Sequence, residues 1–295
     1  MADREELEPI VLDDDLFERR VRVPALPGVV NEVYQRIQSG TADPASVAAI
    51  LDRDAVFSAH VLKVVNSAYF GLPVAVTTVR FAIAYLGLSE VSRIALALSV
   101  MKVLNTEQRS LMESFWVRSY HTALISRKLA KRLTFSAEDA ENLYLAALLH
   151  DVGKLVYAAA FPDHFKAVTQ YCRDHGCRAV EAQKALGFPE DGELGLMVSR
   201  YWNLPKAVRR ACAAHELEDL EQVKSRDQAD PLQLAVCVAS LLSVLCVYPL
   251  TDVQRVRISR EIQRVMEMDQ DDFLLLMSDV YDLRDEARRT VMGLL

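Results

Sequence analysis

Three histidines, one aspartate and one lysine have the residue types and spacing from which a reaction could be built. His150 and Asp151 stand side by side in the run Leu143–Leu155, LYLAALLHDVGKL, with Gly153 and Lys154 just beyond them. An imidazole beside a carboxylate at the end of an apolar helix is costly unless both groups find partners. His121 precedes His150 by 29 residues. Each lies in its own apolar helix, so two packed antiparallel helices would bring the imidazoles together. Two imidazoles and a carboxylate suit a borderline divalent ion such as Zn, Mn or Fe, and His215 on a later helix offers a third imidazole. Such an ion lowers the pKa of a bound water and clamps a phosphoryl oxygen, as phosphoester hydrolysis requires. Lys154 would hold phosphate as a point charge. The competing reading is a set of buried, hydrogen-bonded core histidines, which spacing alone makes the commoner case.

Other candidates carry less. Cys172, His175 and Cys177 crowd together in YCRDHGC, but a fourth metal ligand is missing, and a helix end with reduced thiols explains them. Gly153-Lys154 lacks the glycine pattern of a phosphate loop. His60 and His164 have no neighbours that suggest a role. Neither a nucleophile elbow nor a dinucleotide fingerprint is present.

The elements that must position these groups read as helices throughout, with no convincing alternating strand. After the PALPG turn, Val29, Val30, Val33, Tyr34 and Ile37 recur at helical spacing up to Gly40. Asp43-Pro44 opens a second helix, with Asp43 as N-cap and proline at the first helical position. Asp54 caps a third, which runs into Asn66–Gly71. Helices are expected at about 77–86 and 89–104, and then from near Glu113, where Phe115, Trp116, Tyr120, Leu124, Ile125 and Leu129 line a helix holding His121. Segments at 163–175, 177–186, 193–202 and 206–216 follow, the last carrying His215. Residues 251–295 read as two amphipathic helices, the second capped by Asp269.

Composition sets the outer limits. The chain has 295 residues, 51% hydrophobic and 25% charged, with a net charge of −7. That is a globular profile, and a broad nucleic-acid-binding face is not expected. Five cysteines without a CxxC pair favour a reducing compartment, and the N-terminus has no secretory signal, so the cytoplasm is the expected location. Residues 1–22 form an acidic lead, read as a solvated arm or a loosely docked first helix. Residues 231–251 contain no charge. Between Pro231 and Pro249 they leave 17 helical residues, about 26 Å and short of a membrane's roughly 30 Å core. A buried core helix is expected there, not a membrane span.

The residues also carry a resemblance. VPALPGVVNEVY, the D-x-D-A segment at Asp52–Ala55, LKVVNSAYFGLP and AIAYLG at Ala82–Gly87 resemble the N-terminal lobe of HDOD-domain proteins. LLHDVGKL, with His121 upstream, is similar to the HD part of that family. The resemblance covers the chain from about Val23 onward. It implies an all-α fold of two helical lobes: an acidic arm at 1–22, an N-terminal lobe at 23–110, an HD-like lobe at 111–250 and a C-terminal helical pair at 251–295.

It further implies a bacterial signalling and regulatory role related to metal-dependent HD phosphohydrolases. His121, His150 and Asp151 would match HD ligands, and His215 a later histidine. The final ligand, normally an aspartate in V-x-x-A-D, is Ser240 in Val236-Cys237-Val238-Ala239-Ser240. A neutral hydroxyl replaces neither the charge nor the coordinating power of a carboxylate, although Asp191 or Glu216 could compensate. The expectation is therefore a non-catalytic module with a degenerate metal site, no resident cofactor, protein partners and room for a small ligand such as a nucleotide. The alternative is a metal-dependent phosphodiesterase acting on a cyclic or other nucleotide. His121, His150 and Asp151 are expected within contact distance of one another.

Overall fold

The computed structural model describes residues 7–13, 16, 25–66, 72–104 and 109–292, which contain helices and no strand. Most of the acidic lead and Ser67–Gly71 of the asparagine-serine run lie outside the described residues. The N-terminal lobe comprises α1 (Gly28–Gln38), α2 (Pro44–Leu51), α3 (Ala55–Val65), α4 (Val79–Leu86) and α5 (Leu88–Val103). Local chemistry sets its boundaries. Asp43 accepts from the backbone N–H of Ala45 and Ser46, and Asp54 from that of Phe57, satisfying donors that a helix start leaves open. Asn66 then clamps the following segment, donating to the Val76 carbonyl and accepting from its N–H, both at 2.7 Å.

The second lobe is organised on the long helix α6 (Arg109–Arg132), which packs against α7 (Ala137–Leu149). α8 (Val152–Ala160), α9 (Pro162–His175), α10 (Ala179–Leu186), α11 (Asp191–Tyr201), α12 (Lys206–Ala213) and the short α13 (Leu217–Glu221) follow. α14 (Pro231–Val247) also lies along α6, and α15 (Asp252–Met266) and α16 (Gln270–Met292) close the fold. α14 is buried from Leu234 through Leu245, so the uncharged run is a central core helix. The stretch Ala137–Ala160 is long and apolar enough to cross a membrane by composition, yet 83% of its apolar window is buried inside the fold, and it is broken into α7 and α8.

The core does not stop at the lobe boundary. Val33, Leu51, Val61 and Leu96 share one apolar cluster with Trp116, Leu149, Leu155 and Leu194, and Val291 of α16 joins it. A second cluster surrounds α14, with Leu242, Ile125, Ile258, Ile262 and Val280. Burying each such side chain contributes about 1.5–3 kcal/mol. Polar groups also bridge the lobes: Glu90 of α5 accepts from Arg127 of α6 at 3.0 Å, and Arg93 reaches Glu141 of α7 at 3.0 Å. Gly153 permits a close helix contact, because a Cβ there would fall on the Asp191 main-chain carbonyl and lie 2.6 Å from the Gly195 nitrogen. That approach seats α8 against the start of α11.

Candidate functional site

The break between α7 and α8 puts His150 and Asp151 at a helix junction buried on all sides. The two are 0% and 5% exposed, and His215, after α12, is 3% exposed. The His150 and His215 rings meet edge to face with centroids 4.9 Å apart. His150 Nδ1 lies 2.7 Å from the Ala147 carbonyl, and His215 Nδ1 lies 3.0 Å from that of Ala211. A carbonyl only accepts, so each Nδ1 carries the proton and donates it. Neither Nε2 has a hydrogen-bond partner among the described residues. His215 Nε2 stands 3.7 Å from Asp151 Oδ1 and 3.7 Å from Glu216 Oε1.

The other side of Asp151 is taken by Arg118 of α6. Its guanidinium donates to Asp151 Oδ2 and, through the second terminal nitrogen, to Ser240 Oγ at 3.0 Å. Arg118 is itself 5% exposed. Lys154, one turn beyond Asp151, donates to the Tyr248 hydroxyl at 2.9 Å. The Tyr248 ring faces both cations, 5.6 Å from Arg118 and 5.3 Å from Lys154.

The protonation states follow from this packing. Burial opposes the Asp151 charge, but Arg118, with His215 and Lys154, outweighs it and holds the carboxyl well below its usual range. Burial, then the Arg118 and His215 charges, keep His150 well below the ordinary imidazole range and therefore neutral. For His215 burial acts the same way, yet the Asp151 carboxylate overrides it and the pKa rises. Burial and the neighbouring Asp151 charge push Asp191 up to about 6.

His121 does not join this group. It is fully buried one turn after Arg118, and both ring nitrogens are engaged elsewhere: Nδ1 with Ser243 Oγ at 3.0 Å and Nε2 with the Val280 carbonyl of α16 at 2.8 Å. The paired contacts Arg118–Ser240 and His121–Ser243 share one register, so α6 and α14 run parallel. In this register Arg118, not His121, faces Asp151. The expectation that His121, His150 and Asp151 face one another is corrected accordingly: His150, Asp151 and His215 converge, and the residue missed from the sequence is Arg118. Its signal was a cation between Trp116 and Tyr120 in a helix with an apolar face.

A divalent ion does not fit this arrangement. Asp151 Oδ2 is held by a guanidinium, and Ser240 Oγ accepts from the same guanidinium. Asp191 accepts from Gln183 Nε2, and Glu216 accepts from Arg178 at 3.1 Å, so each candidate substitute carboxylate already has a partner. Among the described residues no group of three or more His, Cys, Asp or Glu is disposed to hold a metal ion. Near the N-terminus, the Glu8 carbonyl accepts from His164 Nε2 at 2.9 Å, which gives that histidine a docking role.

Comparison with known proteins agrees with the helical architecture. Residues 23–217 match the HDOD domain family. An uncharacterised protein of Treponema pallidum (strain Nichols) is 23% identical over 193 residues, 65% of this chain and 37% of that protein. The match thus spans little more than a third of the relative's length. The crystal structure of an HDOD domain protein of unknown function from Geobacter sulfurreducens superposes with a TM-score of 0.75 at 21% identity, covering 96% of this chain and 97% of that one. A protein of Shewanella amazonensis SB2B, provisionally named a phosphohydrolase, gives 0.70 at 20% identity, covering 93% and 96%. Likeness at these identities concerns the fold, and one fold hosts many activities.

Proposed function

Because the chain belongs to the HDOD domain family, we propose that it is a non-catalytic regulatory module in bacterial signalling, acting through contacts with other proteins. The observation that carries this reading is the Arg118 guanidinium seated between Asp151 and Ser240. A fixed side-chain cation neutralises the carboxylate that an HD-type hydrolase needs for its metal, and it brings no open coordination position and no activated water. Exposed Val74, Phe81 and Tyr85 on the N-terminal lobe support a role in protein contacts. The five cysteines are free thiols, in keeping with a cytoplasmic setting.

The competing reading, a metal-dependent phosphodiesterase, draws on His150 Nε2 and His215 Nε2, neither of which makes a hydrogen bond among the described residues. It would require Arg118 to leave Asp151. A hydrolysis assay on bis(p-nitrophenyl) phosphate and on cyclic dinucleotides with added Mn separates the two. The regulatory reading expects wild-type turnover no higher than that of His150→Ala. Turnover that depends on His150 would overturn it.

A further inference from the structure

The C-terminal helices α15 and α16 diverge after the corner that joins them. Glu267 follows α15 in the left-handed conformation, φ 53° and ψ 47°, and the Met268 N–H donates back to the Gln263 carbonyl at 3.0 Å. Asp269 then caps α16. Beyond this corner the two helices barely meet, because α15 packs on α13 and α14 while α16 packs on α6 and α14. A groove of about 590 Å³ lies between them. Met268 and Phe273, both buried, form its floor. Val256 and Arg260 line it from α15 and Gln270 from α16. Arg255 and Arg264 line it too, and no carboxylate does among the described residues.

Both helices turn apolar side chains outward here. Val253 and Val256 share one stripe of α15 with Arg260, at helical spacing. Leu274 lies one turn beyond Gln270 on α16, and Leu275 is in line with Asp271 and Asp282. Val253, Val256, Leu274 and Leu275 are all exposed, and apolar residues grouped on an outer surface mark a place where another molecule packs. Charge divides between the same two helices. α15 has four arginines against two carboxylates, whereas residues 270–282 have four aspartates and no cation. Part of this charge is satisfied within the chain, where Glu221 holds Arg257, Glu261 holds Arg264, Arg132 holds Asp272 and Lys128 holds Asp279. The exposed side chains of Arg260, Asp271 and Asp282 make no hydrogen bond or ion pair among the described residues.

We propose that this hairpin is the surface through which two copies of the chain associate. The Leu274–Leu275 ridge of each copy enters the α15–α16 groove of the other and covers Val253 and Val256. Arg260 of each copy faces the partner's Asp271 and the partner's Asp282 at the rim. A two-fold pair needs one surface that carries both halves of the fit, since residue i meets residue j and j meets i. The hairpin carries both, an arginine-lined groove and an acidic ridge with exposed leucines. An apolar centre inside a polar rim is the ordinary anatomy of an interface, and opposite charges across the rim fix its register.

Sedimentation equilibrium of the full chain tests this. Wild-type protein should reach twice the chain mass of 33.1 kDa at micromolar concentration. Arg260→Glu, and separately the double variant Asp271→Lys with Asp282→Lys, should each raise the dimer Kd about ten-fold or more, because like charges then oppose each other twice per dimer. An equimolar mixture of these two proteins should recover the dimer. Each mixed pair keeps one native set of charges and one exchanged set, and both attract. Leu275→Glu should weaken the dimer with no such recovery. All four positions are exposed, and melts followed by circular dichroism establish that the variants fold. A wild type that stays monomeric up to about 100 µM overturns the proposal and leaves the groove to a different partner. A dimer unmoved by the charge reversals overturns it as well, and so does one that the mixture fails to restore.

Discussion

Replacing Arg118 by alanine tests the buried ion pair directly. Arg118 and Asp151 are each 5% exposed. The substitution leaves an ionised carboxylate in the interior with only His215 and Lys154 to offset it and strips Ser240 of its donor. Removing one partner of a buried pair costs about 3–5 kcal/mol, because the charge left behind is uncompensated. Replacing both partners by apolar residues of similar volume is often neutral or stabilising. Arg118→Met combined with Asp151→Leu should therefore recover most of the loss. Urea denaturation of the wild type, Arg118→Met, Asp151→Leu and the double variant gives the coupling energy, provided the slope with urea is unchanged. A cost of about 1 kcal/mol or less for Arg118→Ala, the range of exposed pairs, would refute a desolvated, structure-bearing interaction.

His121→Ala should cost about 1–3 kcal/mol by taking the His121 partner from the buried Ser243 hydroxyl and the imidazole donor from the Val280 carbonyl. Denaturation measures the cost, and a change of ten-fold or more in any ligand affinity would contradict a purely structural His121. Glu90 is pushed up to about 8, by burial first and by neighbouring Glu141 second. An unfolded chain ionises its glutamates near pH 4.5, so between that pH and about 8 the folded state binds more protons than the unfolded one. Stability from this group is complete below pH 4.5 and declines as pH rises toward 8. Thermal melts across that range should show the decline in the wild type, and Glu90→Gln should flatten it; a slope unaltered by the substitution would contradict the assignment. Gly153→Ala forces its methyl into the α11 backbone, with a cost of about 1–3 kcal/mol or more; a melt within error of wild type would show that α8 and α11 are less closely packed.

The helices were legible because their signals are local. Asp43-Pro44 and Asp54 open α2 and α3 through side-chain bonds to the following N–H groups. Pro231 and Pro249 bracket α14, and Asp269 caps α16 by accepting from the Asp272 N–H. The site was legible where it depends on adjacency, as at His150 and Asp151. What the sequence did not reveal was rotation about a helix axis. Arg118 and His121 are one turn apart on α6, and only the packing against α14 and α16 decides which of them faces Asp151. An arginine flanked by Trp116 and Tyr120 resembles a snorkelling surface cation until its buried carboxylate partner is located.

The proposed balance of Asp151 by a guanidinium in place of a metal ion is tested by adding purified protein to Mn2+ while recording the paramagnetic resonance of the free ion. Wild-type protein should leave the free-ion signal unchanged. A stoichiometric loss of that signal, abolished by His150→Ala, would put a metal at the site instead.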